Sequence, residues 1–134
     1  MQKTSFELKE EHKKLEEMLL DFEAVMSEQE VNYSALIHNL RTLSEFWNSH
    51  ERKEEVFFQE LRQRNISIPV ESLTFEHGKL RRDLKKLVEA INNGKESLLR
   101  ERFESEGQDL IDNLREHMKQ EDWIFIALPL EDII

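Results

Sequence analysis

The chain contains no cysteine. Disulfide frameworks, thiolate metal sites and thiol nucleophiles are excluded by that alone, and a reducing, cytoplasmic setting is compatible with it. Glycine and proline are scarce, at 3 and 2 of 134 residues, so turn-rich all-β folds are disfavoured and long helices favoured. No apolar run approaches the roughly 20 residues of a membrane span, and the polar start from Met1 to Glu11 does not read as a secretory signal. Positive charge is in deficit: 19 Lys and Arg against 29 Asp and Glu leave a net charge of -10. Phosphate backbones call for clustered positive charge, so a nucleic-acid partner is disfavoured; the lack of a long apolar run disfavours a membrane. An acidic excess attracts cations instead. The length fits one domain, residues 1–134.

What the chain does have is helical periodicity. Thr4-Ser5-Phe6-Glu7 reads as a capping box, after which Phe6, Leu8, His12, Leu15, Met18, Leu19, Phe22 and Met26 mark a first helix over about 5–27. A second spans about 34–64, with Leu36, Leu40, Leu43, Phe46, Trp47, His50, Glu54, Phe57, Phe58 and Leu61 inward. Asn65 to Pro69 ends it, because proline disfavours helix at the residue before it. A third starts near Val70 and carries Leu73, His77, Leu80, Leu84, Leu87, Val88 and Ile91, closing at Asn92-Asn93-Gly94. A fourth spans about 95–127, with Leu99, Phe103, Leu110, Leu114, His117, Glu121, Ile124, Phe125 and Leu128 inward and Pro129 beyond it. Gly107 inside this helix allows a kink. Four helices with short connections predict an all-α, antiparallel up-down bundle.

The chain also repeats itself. Glu11-His12-Lys13-Lys14-Leu15 matches Glu76-His77-Gly78-Lys79-Leu80, 65 residues on. The segment from His50 aligns without a gap on the segment from His117, 67 residues on: Glu54 on Glu121, Glu55 on Asp122, Phe58 on Phe125. Four of the chain's five histidines thus fall at repeat-related points. Residues four apart on a helix lie about 40° and 6 Å from one another, so each His-x-x-x-Glu presents an imidazole and a carboxylate on one face. An exposed pair of this kind would be worth only a few tenths of a kcal/mol. In an antiparallel bundle, however, the mid-helix positions meet at similar depth, and His12, His50, His77 and His117 would converge with Glu54 and Glu121. Imidazole and carboxylate together suit Fe, Mn or Zn, and carboxylates can bridge two ions. Two six-coordinate ions offer about twelve positions. Four imidazoles, two bridging carboxylates and a bridging oxo or hydroxo group leave about two open for water, O2, NO or peroxide. An incompletely filled site is reactive or ligand-binding rather than structural.

These residues resemble the hemerythrin-like, or HHE cation-binding, domains over nearly the whole chain. The marks are the early His12, the segment His50-x-x-x-Glu54-Glu55 with Phe57-Phe58, the lone His77, and His117-x-x-x-Glu121-Asp122 with Ile124-Phe125 and Leu128-Pro129. The resemblance implies a four-helix bundle around a non-haem di-iron centre. It also implies activities ranging over O2 binding, O2 or iron sensing, NO binding, repair of iron centres and peroxide chemistry. Oxygen carriers of the family have a fifth His ligand four residues after the lone His of the third helix; here that position is Arg81, which cannot ligate as a neutral group. One iron is then more open, or Glu51 turns in as the adjacent Glu does in some iron-sensing relatives. Oxygen carriers also often place Asp five residues after the last His, and Asp122 offers that alternative to Glu121; the internal repeat favours Glu121.

The remaining features read as background. His38 lies about 18 Å up the helix from His50, and Tyr33 about 25 Å, so neither is expected at the site. Arg81, Arg82, Lys85 and Lys86 read as a solvated face. Glu11 and Glu76 are either partners of the neighbouring His or exposed. Phe46, Trp47, Leu114, Phe57, Phe58, Ile124 and Phe125 are core, and some of them wall the open positions. The function expected is an O2- or NO-binding di-iron protein for sensing, storage or delivery. The alternatives are a di-iron oxidoreductase acting on peroxide or Fe(II), an iron-centre repair protein, and a metal-free helical scaffold. Nothing in the sequence specifies a protein partner.

Overall fold

Apolar residues three and four apart build one buried stripe on each helix, and burial of those stripes against one another gives the architecture. The computed structural model describes residues 2–30, 32–93 and 103–127. Helix α1 spans Gln2–Met26, α2 Tyr33–Gln63 and α3 Val70–Asn93. A π-helical turn, Phe103–Gly107, then leads into α4, Gln108–Ala127. The helices pack in sequence as an antiparallel ring, α1 on α2, α2 on α3, α3 on α4 and α4 on α1. There is no strand among the described residues.

Two expectations fail at the start of α1. The helix begins at Gln2, so Thr4-Ser5-Phe6-Glu7 lies inside it rather than capping it, with Ser5 buried. Phe6 is 59 % exposed. It sits two residues before Leu8, about 200° round the helix, and so faces away from the stripe made by Leu8, His12, Leu15, Leu19 and Phe22. Gly107, where a kink was expected, closes the π-helical turn, a local widening that shifts the phase of the helix entering α4. The expected turn residue Gly94, the inward residues Leu99 and Leu128, Pro129 and the side chains of Ile91 and Phe103 lie outside what is described.

The helix ends are fixed by local chemistry. Asn32 caps α2, its side-chain oxygen accepting the Ala35 N–H at 3.1 Å. At the other end Asn65 takes a positive φ of 62°. The Ile66 N–H then reaches the Leu61 carbonyl and the Asn65 N–H the Arg62 carbonyl, both at 3.0 Å. This is a Schellman closure with asparagine in the left-handed position, and its apolar contact is Ile66 on the cluster that holds Leu61. Pro69 then opens α3, its carbonyl accepting the Leu73 N–H at 3.0 Å.

The core comes in two apolar parts. The larger holds Leu15, Leu19, Leu40, Leu43, Leu84 and Leu114, with Trp47 at its edge. The smaller holds Leu8, Phe57, Phe58, Leu61, Leu73 and Phe125. Between them lies a polar layer, which holds the histidines and acids that the repeat singled out.

Candidate metal centre

The layer draws on all four helices: His12 from α1, His50 and Glu54 from α2, His77 from α3, His117 and Glu121 from α4. None of the six is more than 4 % exposed. Burying two carboxylates this deeply is costly unless something compensates their charge.

The geometry is ordered around the two carboxylates. Each imidazole turns its Nε2 inward. His12 Nε2 lies 3.3 Å from Glu54 and 3.4 Å from Glu121. His77 Nε2 lies 3.4 Å from Glu54 and 3.1 Å from Glu121. His50 Nε2 is 3.0 Å from Glu54, and His117 Nε2 is 3.2 Å from Glu121. Yet His50 Nε2 and His117 Nε2 make no hydrogen bond, and neither do Glu54 Oε1 and Glu121 Oε1. Buried polar atoms this close and still unpaired are aimed past one another. Two four-residue groups result: His12, His50, Glu54 and Glu121, and Glu54, His77, His117 and Glu121. Within each group the candidate donor atoms lie within 4.8 Å of one another. The two groups share both carboxylates, the arrangement that suits a pair of cations.

An outer set of acids holds the other ring nitrogens. Glu11 accepts from His50 Nδ1 at 2.8 Å, Glu76 from His117 Nδ1 at 2.8 Å, and Asp122 from His12 Nδ1 at 2.7 Å. Glu55 stands 3.5 Å from His77 Nδ1. Each helix thus offers an acid to the histidine of the next: α1 to α2, α2 to α3, α3 to α4 and α4 back to α1. A carboxylate on Nδ1 fixes the ring and leaves Nε2 as the donor toward a metal.

From the sequence, Glu11 and Glu76 are either partners of the neighbouring His or exposed. Adjacent helical residues point about 100° apart, so each acid faces the next helix instead, and the repeated Glu-His pair was the signal for it. Asp122, weighed as a substitute for Glu121, stands on the outer nitrogen of His12, while Glu121 occupies the inner layer. His38 is exposed, as expected.

The electrostatics follow from these contacts. Burial works against a charged His12, but the surrounding acids Asp122, Glu121 and Glu54 outweigh it and push the ring up to about 11. His77 is likewise opposed by burial and raised to about 10 by Glu121 and Glu54. His117 is raised, Glu121 overcoming burial. Burial would raise Glu54, but His12, His50 and His77 hold it far below the ordinary carboxylate range. Glu121 is lowered by His117, His12 and His77 against both its burial and the charge of Glu54. Protons on His12 and His77 therefore offset the charge of the two acids where cations would otherwise do so.

Two further features border the layer. Arg81 is not simply a solvated residue: its guanidinium donates to Glu51, a buried acid, and lies 3.7 Å from Glu55. A cleft of about 510 Å³ between α1 and α4, lined by Phe6, Met118, Trp123 and Ile126, reaches His12 and Asp122. Apolar rings close the layer along the bundle axis. Trp47 lies 6.0 Å from His50 and His117 on one side, and Phe125 and Phe58 stack on His12 and His77 on the other.

Residues 4–128 match the family described as the hemerythrin HHE cation binding domain. No curated protein and no solved structure matches the chain. The match spans nearly the whole bundle and every residue of the polar layer, and the chain belongs to the hemerythrin HHE cation-binding domain family.

Proposed function

We propose that His12, His50, Glu54, His77, His117 and Glu121 hold two iron ions, and that the centre binds O2 or NO for sensing, storage or delivery. The observation that carries this reading is the sharing of Glu54 and Glu121 between two otherwise separate histidine pairs. Each ion would receive two imidazoles and one oxygen from each carboxylate, about four of six positions. Donors of this kind suit iron, manganese or zinc, and the hemerythrin-like resemblance selects iron. Iron, when bound, supplies redox exchange and open positions for a diatomic ligand.

The chain's own residues do the rest. Glu11, Glu76 and Asp122 orient three imidazoles. Trp47, Phe58 and Phe125 limit water along the axis, and the α1–α4 cleft gives a small molecule an approach to His12. No helix among the described residues is long and apolar enough to cross a membrane, and the reading places the protein in the cytoplasm.

The test is anaerobic reconstitution with Fe(II) followed by air or NO. The expected result is two irons per chain and a charge-transfer absorption that appears with the gas; iron uptake without any such absorption refutes gas binding. Glu54→Ala and Glu121→Ala should each lower iron content to one ion or none by elemental analysis, and retention of two irons in both would refute the shared-carboxylate assignment.

Arg81 favours a second reading. It occupies the position of the fifth histidine of oxygen carriers and offers no lone pair, so one ion would keep an extra open position suited to peroxide or Fe(II) oxidation. Steady-state consumption of peroxide well above that of free iron would select this reading over the first.

A further inference from the structure

The ring of outer acids is complete at three junctions and open at the fourth. His12, His50 and His117 are held through Nδ1 at 2.7–2.8 Å. His77 Nδ1 is buried without a hydrogen-bond partner, 3.5 Å from Glu55. At the same junction Glu51 is 1 % exposed, with one oxygen on Arg81 and the other, Oε2, buried and unpaired. Glu51, Glu55 and His77 form a third candidate metal-binding group, one donor atom from each lying within 4.8 Å of the others, and Nδ1 is the ring nitrogen nearest Glu55.

The fold does not require this acid. The repeat places Met118 on α4 where Glu51 stands on α2, and Met118 is buried there. Similarly, Arg81 on α3 corresponds to Glu16 on α1. The Arg81–Glu51 pair therefore has no counterpart at the repeat-related α4–α1 junction. Its gradient runs inward, from half-exposed Arg81 and partly exposed Glu55 to buried Glu51 and then to His77, whose other nitrogen already faces the shared carboxylates.

We propose that Glu51, Glu55 and His77 Nδ1 form a transient divalent-cation site at the α2–α3 seam, through which the centre is loaded, with the Arg81 guanidinium as the resident cation that an incoming ion displaces. The site rests on the di-metal reading above. A buried acid must be compensated. Arg81 compensates Glu51 in the resting chain, but it is anchored at the surface and withdraws into solvent at little cost. A divalent ion brings twice the charge and can use the two atoms that Arg81 leaves unpaired, Glu51 Oε2 and His77 Nδ1. His77 is the natural ligand for the transfer because its ring is the one not pinned by an outer acid.

The experiment uses the full chain and Co(II) as probe, with loading followed by stopped-flow absorption and final content by elemental analysis. Glu51→Gln and Glu55→Gln should still take up two ions but load about tenfold or more slowly, the scale on which removing a focusing charge acts on capture. Arg81→Gln should load faster and retain a third Co(II) equivalent, which adding Glu51→Gln removes. Unchanged loading rates in both acid variants would overturn the proposal, as would the lack of a third equivalent in Arg81→Gln. A content below two in Glu51→Gln would also overturn it, because Glu51 would then be a ligand of the centre itself. Glu55 is partly exposed, so its variant keeps the test sound if Glu51→Gln does not fold. A wild-type chain that takes up no Co(II) removes the di-metal reading and this inference with it.

Discussion

At the scale of single residues, the acids one step removed from the inner layer decide how well the imidazoles are presented. Glu11 carries both His50 and Lys53, the latter at 2.6 Å, and both hold its carboxylate below its ordinary range despite burial. Glu76 carries His117. Glu11→Ala and Glu76→Ala should each weaken metal binding by about 10- to 100-fold while leaving the helical content intact; competition against a chelator of known affinity reads the loss directly. Equal affinity in either variant would mean that its acid has no part in holding the ring. The inner residues were legible because the repeat set four histidines and two glutamates at equivalent points. The partners of Nδ1 were not, since sequence spacing fixes which residues share a face of one helix but not which helix stands opposite. The same limit hid the Arg81–Glu51 pair: reading Arg81 with Arg82, Lys85 and Lys86 as solvated ignored an acid buried on the neighbouring helix.

At the scale of elements, the α2–α3 turn sets the register of the two hairpins and so the depth at which His77 meets Glu54. Its conformation depends on Asn65 at φ 62°. Asn65→Ala should lower stability by about 1 kcal/mol, the cost of a Cβ-bearing residue without a local hydrogen-bonding group in the left-handed region, whereas Asn65→Gly should be neutral or mildly stabilising. Chemical denaturation of both variants checks this, and similar losses in the two would show that φ is not what the position selects. Helix existence and the ends near residues 33 and 63 could be read from period and breaker residues. The start of α1 could not: Thr-Ser-Phe-Glu has the composition of a cap, but the buried face already includes Ser5 and Leu8, and burial of that face extends the helix past it. Another bond between elements was also invisible in the sequence. Arg115 on α4 reaches Glu16 at 2.9 Å and also pairs with Glu23, both on α1, and so ties together the two ends of the chain's helical order.

At the scale of the whole molecule, stability and cation binding are linked through protons. In the metal-free chain His12 and His77 titrate near 11 and 10 against 6.5 when unfolded. Raised values mean that the folded chain binds more protons than the unfolded one between these limits. Their contribution is therefore complete below about pH 6.5 and is lost as pH rises through about 10 to 11. The lowered Glu54 and Glu121 act in the opposite sense, contributing above 4.5 and losing that contribution as pH falls through their folded values. With chelator present, the melting temperature should fall from pH 7 to pH 10. The metal-loaded chain should not follow, because its imidazoles are already neutral. Uptake of metal at pH 7 should release about two protons from this pair of rings, measurable with an indicator dye in weak buffer. Removing the metal at constant pH should lower the melting temperature, since a ligand held at 100 times its Kd stabilises by about 2.7 kcal/mol. Melting indifferent to chelation would leave a scaffold without a cation.

The order in which acids meet imidazoles has a consequence for how the molecule is put together. Glu11 and Glu76 serve a histidine within their own hairpin, but Asp122 reaches across to His12 of the other one, and the acid nearest His77 Nδ1, Glu55 at 3.5 Å, also comes from across. In both hairpins the acid nearest the outer nitrogen of the first histidine is supplied by the sibling. Duplication of one ancestral piece would account for that reciprocity, and two separately produced halves would have to meet before either could keep an ion.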